Sequence, residues 1–379
     1  MTFELKQYDN VLLKFRLERT GLGEIVYHID WVNDELKHLL PIGLSLNPEG
    51  LAKWLSSRVI PKNREFVDQI LSRSGLSHND TIGIIQLCKG LSLNDSYWIV
   101  EEGFSGKFVD YNLYENSFAR TLALIAYTGY GSTTRKGFTS SPEYTTNGML
   151  RKCWRRINKK IYLYKGGTSG AANAGKEPYS EFYAAQIAER MGLKHVTYGL
   201  SKWKGHLCST CELFTDIKTS YVPIHRFLPN CTLTKTVEYL KSLGDSYYDE
   251  FADMMIFDAI IFNTDRHFGN FGLLVDNTTN EPIAFAPIFD NGLSLFNYAM
   301  EDDLREIEKY AQTRSPAFDG VSYDALVKEF LSDRQREELR KLINFKFKKH
   351  SKYNLPNARL KTIEAFIQTR VQEILDTKK

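Results

Sequence analysis

Cysteine is scarce: the chain has 5 in 379 residues, at 88, 153, 208, 211 and 231. An odd, sparse set does not make a disulfide framework and predicts reduced thiols in a reducing compartment. A strong charge of either sign is also missing, since 49 basic and 46 acidic residues leave a net charge of +3. That balance gives no electrostatic case for nucleic acid as the main partner, and no direct nucleic-acid binding is expected. No uninterrupted apolar run approaches the roughly 18 to 20 residues needed to span a bilayer. The start, Met1-Thr2-Phe3-Glu4-Leu5-Lys6, lacks the basic and apolar regions of a secretory signal. A cytoplasmic protein with no membrane partner is expected. Internal repeats and low-complexity tracts are absent too, which removes the solenoid and linker classes.

What is present is size and local pattern. A chain of 379 residues with 42% hydrophobic content can fill two substantial cores. Leu51, Trp54, Leu55, Val67, Ile70 and Leu71 recur near helical spacing over residues 49–74, around Pro61, and suggest a leading helical module. Residues 161–165 have strand composition and deliver Lys165 to a Gly166-Gly167 turn. A helix follows, with Pro178 in its first turn and Gly192 as its stop. Strands are expected at 208–215 and 221–227, an apolar helix at 251–262 and a hairpin over 271–288. The tail, with Leu360, Ile363, Phe366, Ile367, Val371 and Ile374 on one stripe, predicts an amphipathic helix.

The chemistry concentrates in Asn263-Thr264-Asp265-Arg266-His267-Phe268-Gly269-Asn270, followed by Phe289-Asp290-Asn291-Gly292. Phosphotransfer needs a carboxylate to orient the attacking hydroxyl, an amide oxygen to hold a metal, and a second carboxylate on that metal. Asp265, Asn270 and Asp290 supply these in order, with the spacing of a catalytic loop followed by a metal loop. Any one of them alone would be read as a turn former. Lys165 then becomes a phosphate contact, and it needs a carboxylate from the following helix to fix its ammonium. Glu181 is preferred for that role over Glu177, whose simpler use is favourable charge at a helix start.

Three louder signals are read more plainly. Gly170-Ala171-Ala172-Asn173-Ala174-Gly175-Lys176 matches a Walker A loop except that Glu177 replaces the magnesium-binding hydroxyl, so it is read as a flexible connection. Cys208-Ser209-Thr210-Cys211 with His206 is half a zinc site without its second half, and is read as strand thiols. His267 beside Asp265 is read as orienting the loop by hydrogen bonding. The loop at Thr145-Thr146-Asn147-Gly148 offers backbone N–H groups at Gly148 for nucleotide phosphates. Its hydroxyls and those of Ser140 and Ser141 are candidate phosphorylation sites.

These motifs, with Tyr164-Lys165-Gly166-Gly167 and Glu177-Pro178-Tyr179-Ser180-Glu181, resemble the HipA-like serine/threonine kinases of bacteria over about residues 120–300. The resemblance implies an α+β, two-lobed, protein-kinase-like fold with a mixed, sheet-containing N-lobe and a mainly helical C-lobe. The corresponding division is a helical or mixed module over 1–115, an N-lobe over 116–216 and a C-lobe over 217–379. It implies ATP and Mg2+ as cofactors, a protein substrate with a serine or threonine hydroxyl, and a HipB-like helix-turn-helix antitoxin as partner. Carried over by residue, Asp265 is the catalytic base, Asn270 and Asp290 are metal ligands, Lys165 contacts phosphate with Glu181 behind it, and Glu212, Leu213 and Phe214 form the adenine hinge. Autophosphorylation at Ser140, Ser141, Thr145 or Thr146 is the implied self-inhibition. Competing expectations are a P-loop ATPase using Lys176, an inactive nucleotide-binding module acting with a helix-turn-helix partner, and a small-molecule or lipid kinase.

Overall fold

The computed structural model describes residues 1–20, 25–131 and 141–377. They group into two compact units, one of residues 1–164, 213–222 and 274–283, the other of 165–212, 223–273 and 284–379. The chain therefore returns twice to the first unit, a weave that the linear division at 115 and 216 does not contain. No helix among the described residues is long and apolar enough to cross a membrane.

The first unit begins with strands rather than the expected helical module. β1 (Thr2–Gln7), β2 (Asn10–Arg19), β3 (Ile25–Val32) and β4 (Tyr97–Glu101) form an antiparallel sheet in the order β3-β2-β1-β4. Phe3 and Leu5 on β1 and Leu13 and Phe15 on β2 alternate in sequence with polar residues, but Glu4 and Leu12 are buried too, so both faces of this part of the sheet are covered. The helical periodicity at 49–74 resolves into two short helices, Pro48–Ser56 and Val67–Ser72. Pro61 lies in the gap, where its missing N–H would interrupt a continuous helix. Asn47 caps the first by accepting from the Gly50 N–H at 2.7 Å.

β5 (Lys152–Ile157) and β6 (Lys160–Gly166) are joined by Asn158-Lys159, with φ of 49° and 69°. Two consecutive positive φ values are those of a two-residue type I′ hairpin turn. In the second unit, β7 (Tyr198–Trp203) and β8 (His206–Glu212) pair antiparallel, with Tyr198 opposite Cys211 and Ser201 opposite Cys208. β9 (Thr219–Pro223), β10 (Gly272–Asp276) and β11 (Glu281–Phe285) form a three-stranded sheet in the order β11-β10-β9. The strand expected through residue 227 stops at Pro223, and Ile224–Phe227 is a helical turn.

The second unit is built around the helix Asp245–Ile261, whose residues 251 to 261 are all buried. A helix that is apolar on all sides must be enclosed, and here Phe251 packs against Phe271, Phe285 and Phe330. The tail helix Asn357–Asp376 buries Leu360, Ile363, Phe366, Ile367, Val371 and Ile374, and Phe366 meets Phe262 and Phe296 edge-on. The helix Glu177–Met191 ends at Gly192, whose φ of 89° is the left-handed stop. Phe251→Ala should lower unfolding stability by about 3–5 kcal/mol through the cavity it opens. The exposed Ile343 changed to Ala should stay within about 0.5 kcal/mol. Urea unfolding of the two variants measures the contrast.

Candidate active site

The apolar helix Asp245–Ile261 delivers the Asp265 loop. Phe262 takes a left-handed conformation with φ of 51° and ends the helix, so the chain turns out of the core at Asn263. Asn263 is fully buried. Its amide donates to Asp258 Oδ1 at 3.1 Å, its side-chain oxygen accepts from the Asp265 N–H at 3.1 Å, and its carbonyl accepts from the Tyr323 hydroxyl at 2.8 Å. Thr264 is held to the Leu293 carbonyl by its N–H at 3.0 Å and by its hydroxyl at 3.1 Å. Asp265 is therefore presented by a loop fastened on both sides.

Arg266 is the fastener. It is 1% exposed, and every N–H of its guanidinium can be matched to an acceptor. Nε donates to Asp258 Oδ2 at 2.9 Å, and Nη2 donates to Asp258 Oδ1 at 3.1 Å and to Asn291 Oδ1 at 2.5 Å. Nη1 reaches the Asn270 carbonyl at 3.2 Å and also the Phe289 carbonyl. One planar cation thus joins the helix, the Asp265 loop and the Asp290 loop, a fork geometry that lysine cannot reproduce. Burial pushes the Asp258 carboxyl up, and the neighbouring Arg266 pulls it back toward the charged form.

Asp290 has φ of 54°, a backbone region that costs a non-glycine residue energy unless its surroundings hold it there. Those surroundings are on either side of it. Its N–H donates to the Tyr198 hydroxyl at 3.2 Å, Phe289 is tied to Arg266, and the Asn291 N–H donates to Glu181 Oε2 at 2.8 Å. Its carboxylate pairs with Lys165. Lys165, at the end of β6, also donates to Glu181 Oε1 at 3.0 Å. Glu181 is fully buried.

The charges in this cluster set one another's protonation. Burial pushes the Lys165 ammonium down, but Asp290 and Glu181 outweigh it and hold the group above the usual lysine range. Burial raises the Glu181 carboxyl, and Asp290 adds to that while Lys165 opposes it. Asp265 is raised by burial first and by the Asp290 charge second, with His267, Lys165 and Arg266 opposing. A raised carboxyl beside a second carboxylate and a lysine is a common signature of proton-handling sites. Asn270 donates its Nδ2 to the Asp265 carbonyl at 2.8 Å, which fixes the side-chain nitrogen toward the loop and leaves Oδ1 as the acceptor atom of that amide.

The expected residues fall into two groups. Lys165, Glu181, Asp265, Asn270 and Asp290 lie in the second unit, and Lys165, Glu181 and Asp290 are in direct contact. Gly148, Leu213 and Phe214 lie in the first unit and Glu212 in the second. The Leu213 N–H donates to the Ile161 carbonyl at 2.8 Å. Within the 212–214 segment expected to hold adenine through backbone hydrogen bonds, the Leu213 N–H is thus already engaged. Gly148 has φ of 91°, its carbonyl accepts from Arg64 Nη1 at 3.3 Å, and a Cβ there would stand 2.2 Å from Lys152 Nζ. The positive φ is what favours glycine there, since the Lys152 tip can move aside.

The candidate phosphorylation sites also require correction. Ser141 is fully buried and donates to Glu143 Oε2 at 2.5 Å, while Thr145 is buried and donates to the Leu91 carbonyl at 2.7 Å. Thr146 donates to the Pro142 carbonyl at 2.6 Å and accepts from the Trp154 indole at 2.9 Å. In this conformation all three hydroxyls are engaged, those of Ser141 and Thr145 in buried positions and that of Thr146 half-buried. Ser140 lies outside the described residues.

His267 accepts from the Gly269 N–H at 3.0 Å, the loop-orienting use expected of it. Lys176 donates to the nearby Asn173 carbonyl at 2.8 Å. Cys208 and Cys211 sit on β8, Cys208 buried and Cys211 half-buried, and desolvation pushes the Cys211 thiol up to about 12. Sequence reasoning missed Asp258, Asn263, Asn291 and Tyr198. Asp258 left a signal, a carboxylate inside an otherwise apolar run.

No family model matches the chain. Over 143 residues it is 27% identical to the serine/threonine-protein kinase CtkA of Helicobacter pylori, a stretch covering 33% of this chain and 42% of that protein. The match spans less than half the length of that curated relative. The crystal structure of the H. pylori proinflammatory kinase CtkA aligns with 62% of this chain and 92% of its own, with a TM-score of 0.50 and 18% identity. A chain of the Shewanella oneidensis MR-1 toxin-antitoxin complex of HipA, HipB and operator DNA aligns over the full length of both, with a TM-score of 0.54 and 10% identity. At these identities the solved structures establish the fold, which is α+β and kinase-like. Over its 143 matched residues the chain is similar in sequence to one serine/threonine-protein kinase, and it shares a fold with CtkA and HipA.

Arg266→Met leaves Asp258 as a buried carboxylate without its cation, and should cost about 3–5 kcal/mol of stability. Arg266→Lys keeps the charge and loses the fork, so it should retain only part of that stability. Urea denaturation of the two variants, side by side, checks the order.

Proposed function

We propose that the chain is a Mg-ATP-dependent serine/threonine protein kinase of the HipA-like type. The observation that carries the reading is the contact of Lys165 with both Glu181 and Asp290 beside the raised Asp265 carboxyl. A lysine held between two carboxylates serves a ligand with opposing charge, and phosphate is that ligand in this arrangement.

The donor set fits magnesium. Mg2+ takes one or two protein oxygens and completes its shell with water and phosphate, and Asp290 with Asn270 Oδ1 would supply that share. Bound there, the ion would neutralise charge on the transferred group. Lys165 would lie against the nucleotide phosphates, kept in place by Glu181. Asp265 would align the acceptor hydroxyl and take its proton as the new oxygen–phosphorus bond forms and the bond to the leaving diphosphate breaks. Most of the rate would come from positioning and electrostatics. A HipB-like helix-turn-helix partner, and with it a toxin-antitoxin role, belong to the same reading, supported by the composition of the Shewanella complex.

Radiolabel transfer from ATP to a protein acceptor tests it. Asp265→Asn should reduce transfer about 10²–10⁴-fold while nucleotide still binds, and Lys165→Met should weaken both. Transfer that survives Asp265→Asn unchanged would sink the mechanism.

The pH profile gives a second check. Asp265 works unprotonated, and its pKa lies above that of an ordinary aspartate. The rate should therefore fall as pH drops through that raised value, at a higher pH than a solvated aspartate would give. The stability effect has the opposite sense. A carboxyl raised on folding contributes its stability below its unfolded pKa and loses it as pH rises through the folded pKa. Asp265→Asn should accordingly raise the melting temperature at neutral pH, in line with the trade between activity and stability at such sites.

A further inference from the structure

Arg64 is a buried cation that the phosphotransfer reading does not use. It is 2% exposed, and the carboxylates around it are committed elsewhere. Glu65 pairs with Arg151 at 2.7 Å, and Glu143 accepts from the Ser141 hydroxyl at 2.5 Å and from the Trp154 N–H at 2.9 Å. Burial pulls the Arg64 guanidinium down to about 10, with Glu143, Cys153 and Glu65 opposing, so it stays charged at neutral pH. A buried cation without a contact ion pair is costly to keep.

What Arg64 holds is backbone. Its Nη1 donates to the Gly148 carbonyl at 3.3 Å and its Nη2 to the Lys152 carbonyl at 2.6 Å. The carbonyls on either side of Gly148 are held in the same way. That of Asn147 accepts from Lys152 Nζ at 2.7 Å, and that of Met149 accepts from the Glu65 N–H at 2.8 Å. Three successive carbonyls thus turn toward donors of the protein, and two of those donors are cations in buried residues. Every peptide here is trans, so each N–H points opposite to the carbonyl of its own peptide. The N–H groups of Gly148, Met149 and Leu150 therefore face away from these donors, and none of them meets an acceptor among the described residues. Asn147, Gly148 and Met149 are exposed.

Successive N–H groups presented together in a turn make an anion seat. Linked hydrogen bonds polarise one another, so a cation on a carbonyl oxygen makes the N–H of the same peptide a stronger donor. Lys152 does this for the Gly148 N–H and Arg64 for the Met149 N–H, while Glu65 fixes the Leu150 peptide and, through Oε2, the Arg151 N–H at 3.0 Å. We infer that Arg64 and Lys152 are positioning residues that hold the 147–150 backbone with its N–H groups outward and lend them positive charge, so that Gly148, Met149 and Leu150 together take a phosphoryl group. That the phosphoryl group belongs to a nucleotide rests on the kinase reading; the seat does not. The two cations lie behind the peptides and act on the anion through them, which accounts for buried charges that have carbonyls rather than carboxylates as their partners.

The test uses Arg64→Met and Lys152→Met, each of which removes one cation, with Arg64→Lys as the variant that keeps the charge. Lys152→Met carries the comparison where Arg64→Met does not fold. The probes are inorganic tripolyphosphate and ATP, both without magnesium, on the full chain. By calorimetry either Met variant should weaken tripolyphosphate binding about tenfold, and Arg64→Lys should recover most of the loss. In the wild type, tripolyphosphate should slow hydrogen exchange of the 148–150 amides roughly tenfold or more. Unchanged affinity in both Met variants, or no slowing at 148–150, would overturn the seat. A loss in Arg64→Lys as large as in Arg64→Met would strike out the role given to its charge. ATP decides the source: it should slow the same amides, and protection by tripolyphosphate alone would remove the nucleotide as the donor of the phosphoryl group. Wild-type protein that transfers nothing from ATP to casein or to itself would defeat the kinase reading, with the tripolyphosphate result deciding the seat. Transfer from ATP with 148–150 unprotected would do the reverse.

Discussion

The guanidinium of Arg266 is the interaction on which the site depends. It lies inside the second unit with Asp258 as its counter-ion, and its remaining donors are matched to Asn291 and to the Asn270 and Phe289 carbonyls. A buried ion pair is weak evidence for stability, because desolvation offsets most of the Coulomb attraction. Its use here is specificity. With its donors matched to fixed acceptors, Arg266 allows one arrangement of helix, Asp265 loop and Asp290 loop, and moving any of them strands a buried donor.

Around that clamp the charges are arranged in tension. Asp265 and Asp290 oppose one another, burial disfavours both Glu181 and Asp265, and Lys165 is the cation that makes the cluster tolerable. An incoming polyphosphate would compete with Asp290 for Lys165, and a divalent cation would in turn satisfy Asp290. On the proposed function, one ligand would bring both charges. The left-handed Asp290 backbone belongs to the same logic, since strain at a functional loop persists only where its surroundings over-determine it.

Much of this was legible in particular residues. The Asp265 to Asn270 spacing, the apolar strand before Asp290, and the strand–turn–helix around Lys165 all carry local patterns, and the preference for Glu181 over Glu177 followed from helix position. The misses share a cause. β1 and β2 alternate Phe3, Leu5, Leu13 and Phe15 with polar residues, but the reading of this region rested on the longer, Pro61-interrupted helical spacing at 49–74 and assigned no element to them. The hydroxyls of Ser141 and Thr145 looked available because nothing in sequence reveals that Glu143 and Leu91 cover them. The Ile161 carbonyl that the Leu213 N–H meets lies far away along the chain, so this pairing left no mark in the local pattern.

By itself the sequence determined which candidate groups are present and how they are spaced, because that spacing is set along short local stretches of backbone. It also determined the buried helix, since a run that is apolar on every side has nowhere else to go. Only the tertiary structure decided how the groups are paired. Which carboxylate meets Lys165, which residues hold Asp290 in its left-handed turn, and what Arg266 clamps are questions of long-range contact. Such contacts are made between segments that sequence spacing does not relate, and they are selected by burial, where a charge or donor without a partner is too costly to keep.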